Sequence, residues 1–263
     1  GIAMTCSIHR IPAFKDNYLW LVVDDRSREA LVVDPGDAAV ISRALNAQDA
    51  TLSAILVTHH HPDHIGGVDE LVATYDVPVY GPVSAFIPQV TRPVSGSEQV
   101  PILGLNFDII DVPGHTLDHI AYFTRDIGHQ PVVFCGDTLF AGGCGRLFEG
   151  TAAQMSHSLD KLAALPGDTL VYCAHEYTLA NLHFAASVEP GNSDLRRRLE
   201  EVIALREANQ PTVPSQLDLE RATNPFLRCH LPTLAQAVSQ RSDKKLENEV
   251  AVFAAIRHLK DTF

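Results

Sequence analysis

Apolar residues gather into short runs that mostly end at turn signals. Residues 5–14 and 18–23 predict two strands joined by Lys15-Asp16-Asn17, and residues 30–33 predict a third, closed by Asp34-Pro35-Gly36. Residues 38–47 follow helical spacing, and 52–57 form an unbroken apolar run of buried-strand length. Gly66 and Gly67 give the backbone freedom to turn before a helix over 68–75, and a short strand follows over 77–80. Residues 86–101 have no period and read as a loop. Strands are expected at 107–112, 121–124, 132–135 and 170–173. A capping box at Thr151 to Gln154 opens a helix that Pro166-Gly167 ends.

After Tyr177 the pattern changes. Residues 178–188, 194–209, 233–240 and 246–259 all read as helices, separated by Pro190-Gly191, a proline pair within 211–214, and Asn224-Pro225. No strand pattern stands out there. The expectation is an α+β chain: a sandwich of two sheets flanked by helices over 4–180, then an α-helical, substrate-binding domain over 181–263. Gly1 to Ala3 read as a remnant of expression ahead of a natural start at Met4.

Composition narrows the function classes. The 263 residues are 46% hydrophobic with mean hydropathy near zero, as in ordinary globular chains. No stretch has the length of a membrane span and no signal-peptide pattern opens the chain, so no membrane partner is expected. Net charge is −12, which argues against nucleic acid as a partner. The charge is uneven: up to His175 there are 9 basic and 20 acidic residues, and beyond it 11 and 12. The later part is the place to meet an anion. The five cysteines are odd in number and scattered, which suits reduced thiols in the cytoplasm. Cys135 reads as strand packing, and Cys144, in a glycine-rich loop, is unassigned.

The chemistry starts where the 52–57 strand ends. His59, His61, Asp63 and His64 arrive within six positions. In an extended chain His59 and His61 share a face, whereas His60 points the other way and is not expected to be a ligand. Asp63 and His64, past Pro62, aim at a second point, so two pairs suggest two metal ions. A His-rich surface loop is the alternative. More metal-type residues at later strand ends, His115, Asp137 and His175, weigh against it.

His-x-His-x-Asp-His resembles the signature of the metallo-β-lactamase superfamily, and the resemblance implies that family's αββα sandwich. It also implies one metal held by His59, His61 and His115, a second held by Asp63, His64 and His175, and Asp137 bridging. Two divalent ions are implied, zinc first, with iron or manganese as alternatives. Such a pair acidifies a shared water and polarises a carbonyl, which is hydrolase chemistry, with Asp63 beside the bridging hydroxide.

Longer strings narrow the resemblance. TLFAGGCGRLFEG over 138–150, HEYTLAN over 175–181, VEPGN over 188–192 and NPFLR over 224–228 are similar to glyoxalase II, the hydroxyacylglutathione hydrolases. That family cleaves S-D-lactoylglutathione to D-lactate and glutathione, in methylglyoxal detoxification. A glutathione thioester is then the expected partner of a monomeric enzyme. By the same resemblance Arg146, Phe148, Tyr177, Arg257 and Lys260 bind it. Arg146 stands where Lys is frequent and Phe148 where Tyr is frequent, the latter at the loss of a hydroxyl. Without the resemblance, Arg257 and Lys260 read as a solvated helix face. Three rivals remain at this level: a nuclease of the same fold, which −12 disfavours; a persulfide dioxygenase, which generally lacks the helical tail; and a non-catalytic metal module, for which seven ligands are excessive.

Overall fold

The computed structural model describes residues 5–263; the expected start at Met4 and the remnant before it lie outside the described residues. The chain packs as two compact units. One runs through Asp111 and takes up again over Asp118–Gly136; the other comprises Val112–Leu117 and Asp137–Phe263.

The first unit holds strands β1 (Cys6–Ala13), β2 (Asn17–Asp24) and β3 (Glu29–Val33), helix α1 (Ala38–Ala47), strand β4 (Thr51–Leu56), helices α2 (Pro62–Ile65) and α3 (Val68–Tyr75), and strands β5 (Val79–Gly81) and β6 (Arg92–Pro93). These strands form one sheet in sequence order, antiparallel from β1 to β3 and parallel from β3 to β6. Crossing from β3 to its parallel neighbour β4 requires a helix, and α1 supplies it, capped by the Asp37 carboxylate. Strands β7 (Gln99–Ile102), β8 (Leu105–Asp111), β9 (Ile120–Thr124) and β10 (Val132–Gly136) pair antiparallel as a second layer. The buried Tyr122 hydroxyl donates to the Val57 carbonyl at 2.7 Å, and the Ile120 N–H to the Thr58 carbonyl at 2.9 Å. Strand β9 is thereby locked to the exit of β4. Ile55, Leu56 and Val57 are fully buried there, so the histidine-rich segment leaves from a rigid base.

The second unit begins with a hairpin, β11 (Leu139–Phe140) and β12 (Gly143–Cys144). Helix α4 (Ala152–Ala163) follows with the expected capping box at Thr151 and Gln154. Strand β13 (Leu170–Cys173) and helices α5 (Thr178–Val188) and α6 (Ser193–Glu207) come next. After them come the short strand β14 (Ser215–Gln216), paired with β13, and α7 (Leu217–Thr223), α8 (Pro232–Ser242) and α9 (Glu249–Asp261).

Four expectations need correction. Residues 86–101 are not all loop, since β6 and β7 lie within them; both are short and proline-bearing, which hides the period. Helix α7 and strand β14 were not anticipated after residue 180, being too short to show a pattern. The turn after Pro62 is a one-turn helix, α2, with Pro62 at its first position. Finally, Gly66 and Gly67 do not serve as flexible turn residues, because both have ordinary negative φ. A Cβ on Gly67 would meet the Pro35 carbonyl at 2.6 Å, so the requirement is close packing.

Candidate metal centre

In the first unit the donors sit at the β4 exit and on α2. His59 and His61 have ring centroids 4.9 Å apart, and His59 and His64 4.1 Å. His60 turns aside: its Nδ1 lies 2.9 Å from the Asp118 carboxylate, which also accepts from the Ser84 hydroxyl at 2.8 Å.

The Nδ1 atoms of His59 and His64 both trace back to one residue. Asp34 Oδ2 lies 2.8 Å from His64 Nδ1 and accepts from the Thr58 hydroxyl at 2.6 Å. Asp34 Oδ1 accepts from the Thr58 N–H at 2.7 Å. With its proton given to Asp34, the Thr58 hydroxyl can only accept from His59 Nδ1, 2.9 Å away. Each imidazole thus carries its proton on Nδ1 and presents the Nε2 lone pair, the tautomer a metal requires. His64 Nε2 faces Asp63 Oδ2 at 3.3 Å, and that oxygen is steadied by the Asn17 amide at 3.0 Å. Gly136, with φ +53°, passes so close to Thr58 and His119 that a Cβ would lie 2.6 Å from the Thr58 hydroxyl.

In the second unit His115, Asp137 and His175 come together from three loops. Asp137 offers one oxygen to each histidine: Oδ2 lies 3.3 Å from His115 Nε2, and Oδ1 lies 3.3 Å from His175 Nε2. All three side chains are buried. His115 Nδ1 donates to the Arg146 carbonyl at 2.8 Å, which again leaves Nε2 with its lone pair towards a carboxylate. Two acceptors at that distance repel, and a cation between them satisfies both. His, Asp and His sharing one carboxylate fit divalent metals with N/O ligands.

The remaining candidates also belong to the second unit. Tyr177 stacks on His175 with centroids 4.7 Å apart and planes 3° from parallel. Phe148 meets His115 edge-on at 5.2 Å and is itself 64% exposed. Arg146 is exposed and Lys260 half-buried. Burial pushes the Lys260 ammonium down, and the Arg257 and Arg146 charges push it further, so the three cations share one field.

Arg257 is not on a solvated face. It is buried, its Nη1 donates to the carbonyls of Cys144 at 2.7 Å and Gly145 at 3.4 Å, and Nε and Nη2 donate to Asp261 at 3.1 and 2.8 Å. At most one of its five N–H groups is left for a ligand. Cys144 lies beneath this guanidinium with its thiol pushed up to about 11 by burial, although Arg257 pulls the other way. Asp34, Thr58 and Asn17 are functional candidates that local patterns gave no reason to single out. The signal was the Asp34-Pro35-Gly36 turn itself, a short carboxylate at a strand end beside the donor strand.

A two-layer α+β fold with clustered His and Asp donors at strand exits defines the metallo-beta-lactamase superfamily, and the model of that superfamily matches residues 15–175. The His/Asp clusters of this fold suit divalent metal ions. The model of the hydroxyacylglutathione hydrolase C-terminus matches residues 176–263. The hydroxyacylglutathione hydrolase of Albidiferax ferrireducens is 54% identical over 96% of this chain and 98% of its own. That of Pseudomonas aeruginosa is 52% identical over 97% and 99%. Among solved structures, TTHA1623 in a di-iron-bound form has a TM-score of 0.59 at 26% identity, covering 84% of this chain and 100% of that one. The chain belongs to the hydroxyacylglutathione hydrolase family. No helix among the described residues is long and apolar enough to cross a membrane.

Proposed function

We propose that this chain hydrolyses S-D-lactoylglutathione to D-lactate and glutathione, as a monomer in the cytoplasm. The observation that carries the reading is Asp137, whose two oxygens face two histidine Nε2 atoms at 3.3 Å each. The full ligand assignment is His59, His61 and His115 for one ion, Asp63, His64 and His175 for the other, and Asp137 between them. Zinc is the first choice for both, and the di-iron relative keeps iron in view. Residues 4–180 form the metal-binding segment and 181–263 the substrate-binding one.

Two bound divalent cations supply an acidified water and a polarised thioester carbonyl. The chain does the rest. Asp34, through His64 and Thr58, keeps two imidazoles in the ligating tautomer. Asn17 holds the Asp63 oxygen still, and Asp63 would orient the attacking water. No strong general acid is needed, since the leaving thiol has a pKa of about 8–9. Glutathione carboxylates would be met by Arg146, Lys260 and the one remaining N–H of Arg257. Tyr177 offers a hydroxyl and a rigid face, and Phe148 an apolar wall.

The test is metal removal followed by readdition, with lactoylglutathione hydrolysis and metal content measured together. Activity should vanish on chelation and return as zinc approaches two equivalents. Full activity at one equivalent, or cleavage of small thioesters with none of the glutathione thioester, would overturn the reading.

A further inference from the structure

The turn between β11 and β12 has its polar backbone groups claimed by side chains of the helical segment. The Gly142 N–H, at φ +75°, donates to Glu220 Oε1 at 2.8 Å. The Asn224 amide donates to the carbonyls of Phe140 and Gly143 at 3.2 and 3.0 Å, and the Asn181 amide to that of Ala141 at 3.2 Å. Glu220 is fully buried and its other oxygen accepts from Arg198 at 2.6 Å; Arg198 in turn donates to the Thr223 hydroxyl at 2.8 Å.

A buried ion pair of this kind adds little net stability compared with apolar residues of the same volume. Its value lies in fixing a geometry. Burial alone would raise the Glu220 pKa, but Arg198, Ser215 and the Gly142 N–H outweigh it and hold the carboxylate charged. A charged acceptor is what a backbone N–H in a turn binds most firmly.

The turn leads directly to the metal donors. Two residues beyond β12, the Arg146 carbonyl accepts from His115 Nδ1 at 2.8 Å. Between them, Gly145 is seated so tightly that a Cβ would lie 1.9 Å from the Asp137 carbonyl. The Gly145 N–H also donates to the Thr138 carbonyl at 3.0 Å. The backbone that carries the Arg146 carbonyl is thus held at Gly145 on one side and, through the turn, by Glu220 and Asn224 on the other.

We propose that Glu220, with Asn224 beside it, is a positioning residue that fixes the hairpin carrying the Arg146 carbonyl and so sets the ring orientation of His115. This rests on the assignment of His115 as a metal ligand made above. The helical segment would then do more than bind glutathione: it would tune one metal position.

The test compares Glu220→Gln, Asn224→Ala and His115→Ala with the parent, by chelator competition for zinc and by the visible spectrum of the cobalt-loaded protein. Circular dichroism checks folding. Partners of a ligating histidine usually contribute about 10–100-fold in affinity. Both positioning variants should be folded and lose about that much at one zinc position, the one His115→Ala abolishes, with an altered cobalt spectrum. Folded variants that keep both zinc affinities within about twofold of the parent would reduce Glu220 to a buried structural pair. Failure of both to fold would overturn the proposal likewise, as the network would then serve stability. A parent that binds two equivalents, with His115→Ala losing none, would sink the ligand assignment instead.

Discussion

In the first unit four donors, His59, His61, Asp63 and His64, leave one strand within six residues; in the second, His115, Asp137 and His175 arrive from three separate loops. The compact set is steadied by a few nearby side chains, chiefly one carboxylate, Asp34, reached across the sheet from the neighbouring strand. The dispersed set depends on a backbone carbonyl, that of Arg146, whose own position depends on helices far along the chain. A contiguous motif can be held by its neighbours, whereas a scattered one needs a second layer of structure to bring it into register. The difference gives the helical segment a structural reason to accompany this metal site.

Four substitutions would break or sharpen that contrast. Asp137→Ala removes the one residue that spans two imidazoles. Loss of Lewis-acid stabilisation worth several kcal/mol should lower kcat/KM by about a thousandfold or more. Metal analysis should find less than two equivalents, and a loss confined to one equivalent with full turnover would break the idea of a shared carboxylate.

Asp34→Ala should come next. It frees the tautomers of His59 and His64 together, so zinc affinity and kcat should each fall by about 10–100-fold. Asp118→Ala, which strips the partner of His60, should leave both within about threefold, the worth of a part-exposed pair. Equal effects from the two would mean that Asp34 has no special hold on the donors.

Lys260→Ala should have a smaller effect than Asp34→Ala. The charge-assisted bond it offers, about 1.5–3 kcal/mol at most, is discounted for its half-exposed position. KM for the glutathione thioester should rise by about tenfold or less, with kcat nearly unchanged. Because burial and two neighbouring cations lower the Lys260 pKa, its charge is lost at a lower pH than in a free lysine. KM in the parent should therefore climb on the alkaline side below pH 10.5, the ordinary lysine value, and Lys260→Ala should flatten that climb. An identical profile in parent and variant would remove Lys260 from the binding surface.

The contrast also explains what could be read in advance. Strands of continuous apolar residues and helices with clear spacing, such as 38–47 and 68–75, announce themselves because their signal is local. So does the donor motif of the first unit. Elements of two to seven residues, β6, β14 and α7, are too short for a period to emerge. Supporting residues escape for another reason. Asp34 is 30 positions from His64, and Arg198 is 22 from Glu220; nothing within a window of sequence links them. Arg257 was singled out by resemblance alone, and the carbonyls that receive it escaped in the same way, because a cation on an amphipathic helix looks solvated until they are placed.

The buried thiol beneath Arg257 has a chemical consequence of its own. An enzyme that handles thioesters is exposed to acyl transfer onto its own cysteines, a reaction that requires a thiolate. Burial lifts Cys144 to about 11 and Cys173 to about 12. At pH 7 little of either thiol is then ionised. Burial of the Cys144 thiol in the glycine-rich loop thus disfavours the thiolate that acyl transfer from the substrate would need.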